Sequence, residues 1–159
     1  TGTTTGSPLA EIRLNEILVE EGDLPGGYTG GGIRNTAPEM FDNLPEAQNQ
    51  VNQQIVKGVQ QKGGVTVFLY DSTEDVERAF ERIVMGFGAN ASRLMNVGEK
   101  ASAIYLSTTV EDGDITFGDL VFIRCHAVVH IRMADIPDKQ PLADYALKLD
   151  ARLSELVCD

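Results

Sequence analysis

The two histidines of the chain, His126 and His130, lie four residues apart, and an arginine stands two residues from each. Four residues along one strand separate Cα atoms by about 13 Å. That span is too wide for both rings to bind one ion at the roughly 2 Å of a zinc–nitrogen bond, unless a turn at Cys125 bends them together. We therefore expect no metal site here.

A cationic patch is the alternative use of these residues. His130 and Arg132 are two residues apart, so on a strand their side chains point to the same side. On a chain whose net charge is -11, such a pair is suited to an anionic ligand. Solvated residues on the outer face of a sheet explain the same pattern, so both interpretations stay open.

A glycine-rich segment, residues 22–32, contains six glycines, one proline and a single aromatic residue, Tyr28. It lacks the Lys-Ser/Thr pair of a phosphate-binding P-loop. Its composition predicts a loop without regular structure, in which Tyr28 is a candidate contact for a ligand or partner.

No catalytic constellation stands out. Neither histidine has an identifiable nucleophilic or acidic partner in the sequence, and 24 acidic residues are too many for one pair to be singled out. We expect a non-catalytic protein without a cofactor.

Composition limits the possible partners. An excess of 24 acidic over 13 basic residues argues against binding to nucleic acid or anionic lipid. No apolar run approaches the roughly 20 residues of a membrane-spanning helix.

Residues 9–159 fit one domain, whereas residues 1–8, TGTTTGSP, are typical of a flexible tether. We expect the tether to follow a removed membrane anchor; an expression remnant is the alternative.

The sequence of the first half of the chain is compatible with more than one secondary structure. Residues 9–21 predict a short helix, and residues 33–50 read as irregular with one helical turn near Pro45. A hairpin of strands 54–61 and 65–71 would turn at Lys62-Gly63-Gly64. A helix over residues 46–60 remains the competing interpretation.

The secondary structure of the second half of the chain is easier to predict. The segment Asp71-Ser72-Thr73 offers an N-cap oxygen for an amphipathic helix that ends near Gly86 and Gly88. Three strands follow, with Gly118 as a possible bulge, and then a closing helix: residues 101–110, 115–124, 127–133 and 142–157. The order of elements predicts an α+β fold with an antiparallel sheet of about five strands and helices packed on one face.

The two cysteines, Cys125 and Cys158, should meet if the closing helix folds back over the preceding strand. The seventeen helical residues cover about 24 Å and the strand back to Cys125 about 26 Å, so both sulfurs reach the same end. We predict a disulfide, which persists only in an oxidising compartment.

Several stretches carry a family resemblance: EEGDLPGGYT at 20–29, FLYDSTEDVERAFERI at 68–83, and VGEKASAIYL with the following LVFIRCHAVVHIRMA and LADYALKLDARL. They resemble bacterial cell-envelope domains, often lipoproteins, and more distantly the extracellular sensor domains of bacterial serine/threonine kinases. The resemblance implies an extracytoplasmic α+β domain and carries over no catalytic residue. The chain departs from the pattern at Arg124-Cys125-His126, where a glycine or asparagine is usual.

These observations together predict an extracytoplasmic, membrane-tethered ligand-binding or sensor domain attached to the cell envelope. Its ligand would be a small molecule, a glycan or an envelope protein, bound near Tyr28, His130 and Arg132. A structural or scaffolding protein of the envelope is the alternative.

Overall fold

The computed structural model describes residues 8–36, 43–94, 96–111 and 113–158. Two short 3-10 turns, Pro8–Glu11 and Leu14–Glu16, precede the regular elements. These elements are β1 (Tyr28–Arg34), β2 (Asn49–Lys57), β3 (Gln60–Leu69), α1 (Thr73–Phe87), β4 (Ser92–Leu94), β5 (Lys100–Val110), β6 (Gly113–Arg124), β7 (Ala127–Ile136) and α2 (Gln140–Val157).

One antiparallel sheet organises the molecule. Its seven strands run in the order β1-β2-β3-β7-β6-β5-β4, so that β7 lies at the centre and β1 and β4 at the edges. The predicted antiparallel sheet is confirmed, but the expected count of about five strands was too low. The two strands that were not predicted are β1, which lies largely in the glycine-rich segment, and β4, which has only three residues.

The two helices cover opposite faces of the sheet, which corrects the prediction that they pack on one face. Successive side chains of a strand point to opposite faces. Leu120 and Phe122 on β6 pack with α2, and Val121 and Ile123 pack with α1. The unbroken apolar run of β6 is typical of a strand buried on both sides. We call the two sides the α1 face and the α2 face.

Helix α1 forms where the sequence predicts it. The Ser72 hydroxyl accepts a hydrogen bond from the Asp75 backbone N–H at 3.1 Å and so caps the first turn. The buried stripe of the helix comprises Val76, Ala79, Phe80 and Ile83. Gly88, with a φ of 85°, ends it.

The closing helix and the disulfide are both confirmed. Helix α2 folds back across the α2 face, and Cys158 at its end is bonded to Cys125, with Cα atoms 5.6 Å apart. Cys125 lies in the turn between β6 and β7 with a φ of 54°, so it occupies the left-handed conformation for which the sequence offers no glycine. No helix among the described residues is long and apolar enough to span a bilayer.

Strand β1 overturns the prediction of an irregular glycine-rich loop. Gly30 is required by the neighbouring strand, because a Cβ at this position would collide with the buried side-chain amide of Gln53. That amide accepts a hydrogen bond from the Val19 N–H at 3.0 Å and donates to the Gly31 carbonyl at 3.2 Å. Glycine therefore serves here to let two strands approach, not to make a loop.

The β2–β3 hairpin is confirmed, but its turn lies at Gly58-Val59 and not at Lys62-Gly63-Gly64. The competing helix over residues 46–60 is wrong, as is the turn expected near Pro45, since β2 begins at Asn49. The short helix expected over 9–21 is replaced by the two 3-10 turns. The carbonyls of Leu9, in the first turn, and of Ile12, between the two turns, accept hydrogen bonds from the Asn49 side chain. Residues 1–7 and 37–42 lie outside the described residues, and with them nearly all of the predicted tether.

Candidate functional site

Two adjoining grooves open on the α1 face of the sheet. The larger, of about 610 Å³, lies between the C-terminal end of α1 and strands β5 to β7; we call it the apolar groove. The smaller, of about 320 Å³, lies over β1 to β3 and is called the amide groove. His130 and Arg132 on the central strand β7 line both, so they stand at the junction.

Strand register brings an acid to this junction. Arg132 on β7 pairs directly with Asp119 on β6 and, on its other side, with Gly64 on β3. His130, two residues earlier on β7, shares the same face and lies diagonally from Asp119. The glycine leaves the other side of Arg132 without a neighbouring side chain, and this opens the amide groove beside the guanidinium.

Asp119 is the buried centre of a charged cluster, with only 5% of its surface exposed. Its Oδ1 accepts hydrogen bonds from His130 Nε2 at 2.7 Å and from Arg132 Nε at 2.8 Å, and its Oδ2 accepts from Arg132 Nη2 at 3.3 Å. Because an ionised carboxylate can only accept, the His130 Nε2 carries a hydrogen that it donates to Asp119.

The pKa of Asp119 reflects this environment. Burial alone would raise the pKa of the carboxyl, but the hydrogen bonds and charges of His130 and Arg132 outweigh burial and lower it below its usual value. Asp119 is therefore ionised at neutral pH, and its oxygens are occupied by three donors. It acts as an anchor that orients His130 and Arg132.

Arg132 remains accessible from the grooves although Asp119 holds one of its edges. Its side chain is 36% exposed, and its guanidinium lies 5.2 Å from the centre of the Phe117 ring. A guanidinium has five N–H groups, and those not used by Asp119 are available to a ligand. The ring and the carboxylate fix the plane of the guanidinium before any ligand arrives.

Two further arginines line the grooves, one in each. Arg82 on α1 lines the apolar groove and Arg34 on β1 lines the amide groove. Within the described residues neither makes an ion pair, and Asp119 is the one acid among the described lining residues. The grooves thus carry an excess of positive charge on a molecule whose net charge is -11.

The walls of the grooves differ in chemistry. The apolar groove is lined by rings and aliphatic chains, and two of these are unusually exposed, Met85 at 68% and Leu106 at 58%. The Phe87 ring lies 6.1 Å from the His130 ring and encloses the junction. The amide groove presents Asn52, Gln54, Gln61, Thr36 and Thr66.

The predicted site residues are only partly brought together. His130 and Arg132 share the junction, as their spacing suggests, but His130 is 3% exposed and not a solvated residue. Tyr28 lies away from the grooves, within the hydrophobic cluster of the α2 face, and its hydroxyl donates to the Asp135 carbonyl at 2.6 Å. Burial and the Asp135 charge raise the pKa of Tyr28. A ligand contact of Tyr28 stays a prediction.

Asp119, Arg82 and Arg34 are not among the site residues predicted from the sequence. Asp119 had a local signal, since an acid directly before the apolar run Leu120–Ile123 is expensive to bury unless it is paired. Its partners lie on another strand and follow only from the register. Among the residues that the structure describes, no group of three or more His, Cys, Asp or Glu side chains could hold a metal ion.

Comparison of the chain with protein-family models, with curated proteins and with solved structures yields no match.

Proposed function

We propose that this chain is a non-catalytic ligand-binding domain that captures an amphipathic anion in the two joined grooves. The observation that carries the proposal is the presence of three arginines, Arg34, Arg82 and Arg132, along grooves whose one described acid is already held by three hydrogen bonds. An anion at the junction would meet positive charge that the protein itself does not neutralise.

The walls indicate the rest of the ligand. Rings and aliphatic chains in the apolar groove suit a hydrocarbon or aromatic portion, whereas the side-chain amides and hydroxyls of the amide groove suit groups that accept and donate hydrogen bonds. The ligand class is therefore a small molecule with an apolar body and an acidic group. Because the Asp119 oxygens are engaged and its pKa is lowered, a role as a proton acceptor at neutral pH is disfavoured.

We place this domain on the outer side of a membrane, attached to the cell envelope by a segment before residue 9. The support is the Cys125–Cys158 disulfide, because such a bond persists in an oxidising compartment. The composition of residues 1–8 supports the tether.

Calorimetric titration with three probes tests the ligand class. Octanoate has both an acid and an apolar chain, acetate has only the acid, and 1-octanol has only the chain. We expect octanoate to bind most tightly and to weaken as salt screens the arginines. Equal affinity for octanoate and octanol would contradict the role of the arginines.

A matched pair of variants locates the site. Arg82→Gln removes a groove charge that makes no ion pair among the described residues, and Arg93→Gln removes an exposed charge on β4 that lines neither groove. An exposed charge contributes about 0.5–1 kcal/mol, so R82Q should weaken octanoate binding roughly two- to fivefold. R93Q should leave it unchanged; equal losses in both variants would point to a nonspecific effect of net charge.

A scaffolding protein of the cell envelope is the second candidate. Met85 and Leu106 are both large, apolar and more than half exposed on the same face, which is typical of a contact surface for another protein. If none of the three probes binds, this second function is favoured.

A further inference from the structure

Strand register arranges residues of the two grooves in two rows across the α1 face. Residues paired on neighbouring antiparallel strands point to the same face of the sheet. The row that runs from β5 to β2 contains Ile104, Asp119, Arg132, Gly64 and Gln54. The row that runs from β7 to β1 contains His130, Thr66, Asn52 and Arg34. At about 4.8 Å from strand to strand, the first row is about 19 Å long and joins the apolar groove to the amide groove.

The chemistry of the first row changes in a fixed order. The row begins at Ile104, among the rings and aliphatic chains of the apolar groove. It passes through Arg132 at the junction and ends at the side-chain amide of Gln54. A ligand that follows the row needs an apolar part, an anion and a hydrogen-bonding part in this order. Its negative charge therefore lies within the molecule and not at one end.

Arg132 keeps one edge of its guanidinium for such an anion. Asp119 accepts hydrogen bonds from Nε and Nη2, whereas Nη1 donates to no group that the structure describes. Nη1 and Nη2 thus retain a pair of N–H groups on a common edge, which suits two oxygens of a phosphate or carboxylate. An unbranched carboxylate ends its chain, but a phosphodiester carries one negative charge between two substituents. A phosphodiester is therefore the anion that fits the middle of the row.

The amide groove offers hydrogen-bonding groups that the protein leaves unused. Gln54 and Gln61 make no side-chain hydrogen bond within the described part of the chain. Asn52 donates from Nδ2 to the Val65 carbonyl and to Thr66 Oγ1, so its side-chain oxygen is left to accept. Side-chain amides match hydroxyl groups, which also both donate and accept. The groove volume of about 320 Å³ equals that of roughly ten water molecules, which is room for glycerol or one sugar ring.

The charge of the amide groove disfavours a cationic head group. Arg34 and Arg132 both line this groove, and no acidic side chain is among its described lining residues. An ammonium group would meet two positive charges and no carboxylate. Gly64 lies between Gln54 and Arg132 in the first row, so a polyol can rest on bare backbone there.

We propose that the two grooves bind a single-chain alkyl phosphodiester whose second substituent is an uncharged polyol. The alkyl chain lies in the apolar groove, the phosphate binds the free edge of Arg132, and the polyol contacts Gln54 and Asn52. This assignment rests on the proposed function, because it names the ligand of the same grooves. A net charge of -11 opposes docking on an anionic bilayer, so the ligand is a dispersed molecule.

Calorimetric titration with three octyl phosphodiesters, kept below the concentration at which they form micelles, tests the head group. Octyl methyl phosphate, octylphosphoglycerol and octylphosphocholine differ only in the second substituent. We expect the glycerol ester to bind roughly tenfold more tightly than the methyl ester, a gain that about two hydrogen bonds provide. We expect the choline ester to bind more weakly than the methyl ester.

The outcomes separate this assignment from the proposed function. Equal affinity for the glycerol and methyl esters would overturn the polyol, and tighter binding of the choline ester would overturn the charge argument. Octanoate, which lacks a head group, tests the proposed function alone. A chain that binds octanoate but does not distinguish the three esters refutes only the present assignment.

A matched pair of variants locates the polyol. Gln54→Ala removes an amide of the amide groove, and Gln60→Ala removes an exposed amide on β3 that lines neither groove. We expect Q54A to weaken binding of the glycerol ester about three- to fivefold more than that of the methyl ester. Q60A should weaken neither. Equal losses for both esters in Q54A would refute the contact between Gln54 and the polyol.

Two further probes distinguish sources of the same head-group chemistry. Glycerol 3-phosphate has the phosphate and the polyol without a chain, and phosphatidylglycerol vesicles present them at a membrane surface. We expect neither to bind at concentrations at which octylphosphoglycerol saturates the chain. Glycerol 3-phosphate that binds as tightly as octylphosphoglycerol would exclude a role of the apolar groove. Cosedimentation with the vesicles would identify a membrane surface as the partner, and either result would overturn the proposal.

Discussion

The replacement Asp119→Asn tests how the charged cluster is held together. Asparagine has the same shape, but its one acceptor oxygen is neutral and its amide nitrogen must face a donor of Arg132. Two short hydrogen bonds, from His130 at 2.7 Å and Arg132 at 2.8 Å, become neutral at the acceptor, and the 3.3 Å contact to Arg132 Nη2 is lost. The His130 side chain is buried and cannot turn to water instead.

The expected cost follows from these contacts. Hydrogen bonds to a charged group contribute about 1.5–3 kcal/mol and neutral ones about 1 kcal/mol, so two weakened bonds cost about 1–4 kcal/mol. Arg132 is 36% exposed and regains water, which keeps the expected loss near the middle of that range, about 2–3 kcal/mol. For a domain of this size, this loss lowers the melting temperature by about 4–12 °C.

The stabilisation by the Asp119 carboxylate depends on pH in a defined direction. The pKa of Asp119 is lower in the folded chain than its usual value of 3.8, so the carboxylate stabilises the fold above about pH 4. That stabilisation is lost as the pH falls through the folded pKa. The difference in unfolding free energy between the parent chain and D119N should therefore be full at pH 7 and shrink below pH 4.

Urea unfolding at several pH values measures this difference, with Asp144→Asn as the control. Asp144 is exposed, and its carboxylate accepts a hydrogen bond from Gln140 on the same helix. We expect D144N to change stability little at any pH. A D119N chain as stable as the parent at pH 7, or a difference that persists unchanged to pH 3, would refute the anchoring role of Asp119.

Three further predictions concern the fold. Replacing Cys125 and Cys158 by serine opens a loop of about 34 residues and should lower the free energy of unfolding in denaturant by about 4 kcal/mol. In the parent chain, denatured without reductant, neither cysteine should react as a thiol. Gly63→Ala should destabilise by more than about 2 kcal/mol, because Gly63 has a φ of 151° and its Cβ would overlap a β7 carbonyl; Gly32→Ala, where nothing lies within 4 Å, should be nearly neutral by the same assay. Ser72→Ala removes the α1 cap and should cost about 1 kcal/mol in thermal unfolding; an unchanged melting temperature would contradict the cap.

Local signals were sufficient for much of the second half of the chain. Helix α1 has a cap and a regular apolar stripe, and the register between β6 and β7 shifts between Thr116 and Gly118, next to the predicted bulge. The turn at Cys125 followed from the excessive length that an unbroken strand would have, and the disulfide followed from the similar lengths of β7 and α2. Each of these features depends on residues close in sequence or on simple dimensions.

The first half depended on tertiary contacts that composition does not show. β1 is a strand although it is rich in glycine, because it packs against the buried amide of Gln53. Two glycine positions could have made the β2–β3 turn, and the structure turns at Gly58 because Gly63 is needed beside β7. The two helices lie on opposite faces of the sheet, in agreement with the apolar run of β6. This run by itself does not show which element covers each face.

The candidate site could be predicted only in part from the sequence. His130 and Arg132 share a face by alternation alone, so their proximity could be read from β7. Asp119 joins them only because β6 pairs with β7 in a particular register, and Arg34 and Arg82 come from elements far apart in the chain. Strand alternation identifies which side chains share a face, whereas register decides which of them touch.

The capture of an anion at the groove junction is tested most directly by nuclear magnetic resonance titration of the chain with octanoate. We predict concentration-dependent shifts confined to residues of the two grooves, centred on His130 and Arg132, and a marked loss of these shifts in an Arg34→Gln, Arg82→Gln double variant. Shifts spread evenly over the surface, or an unchanged response in the double variant, would contradict the binding site described here.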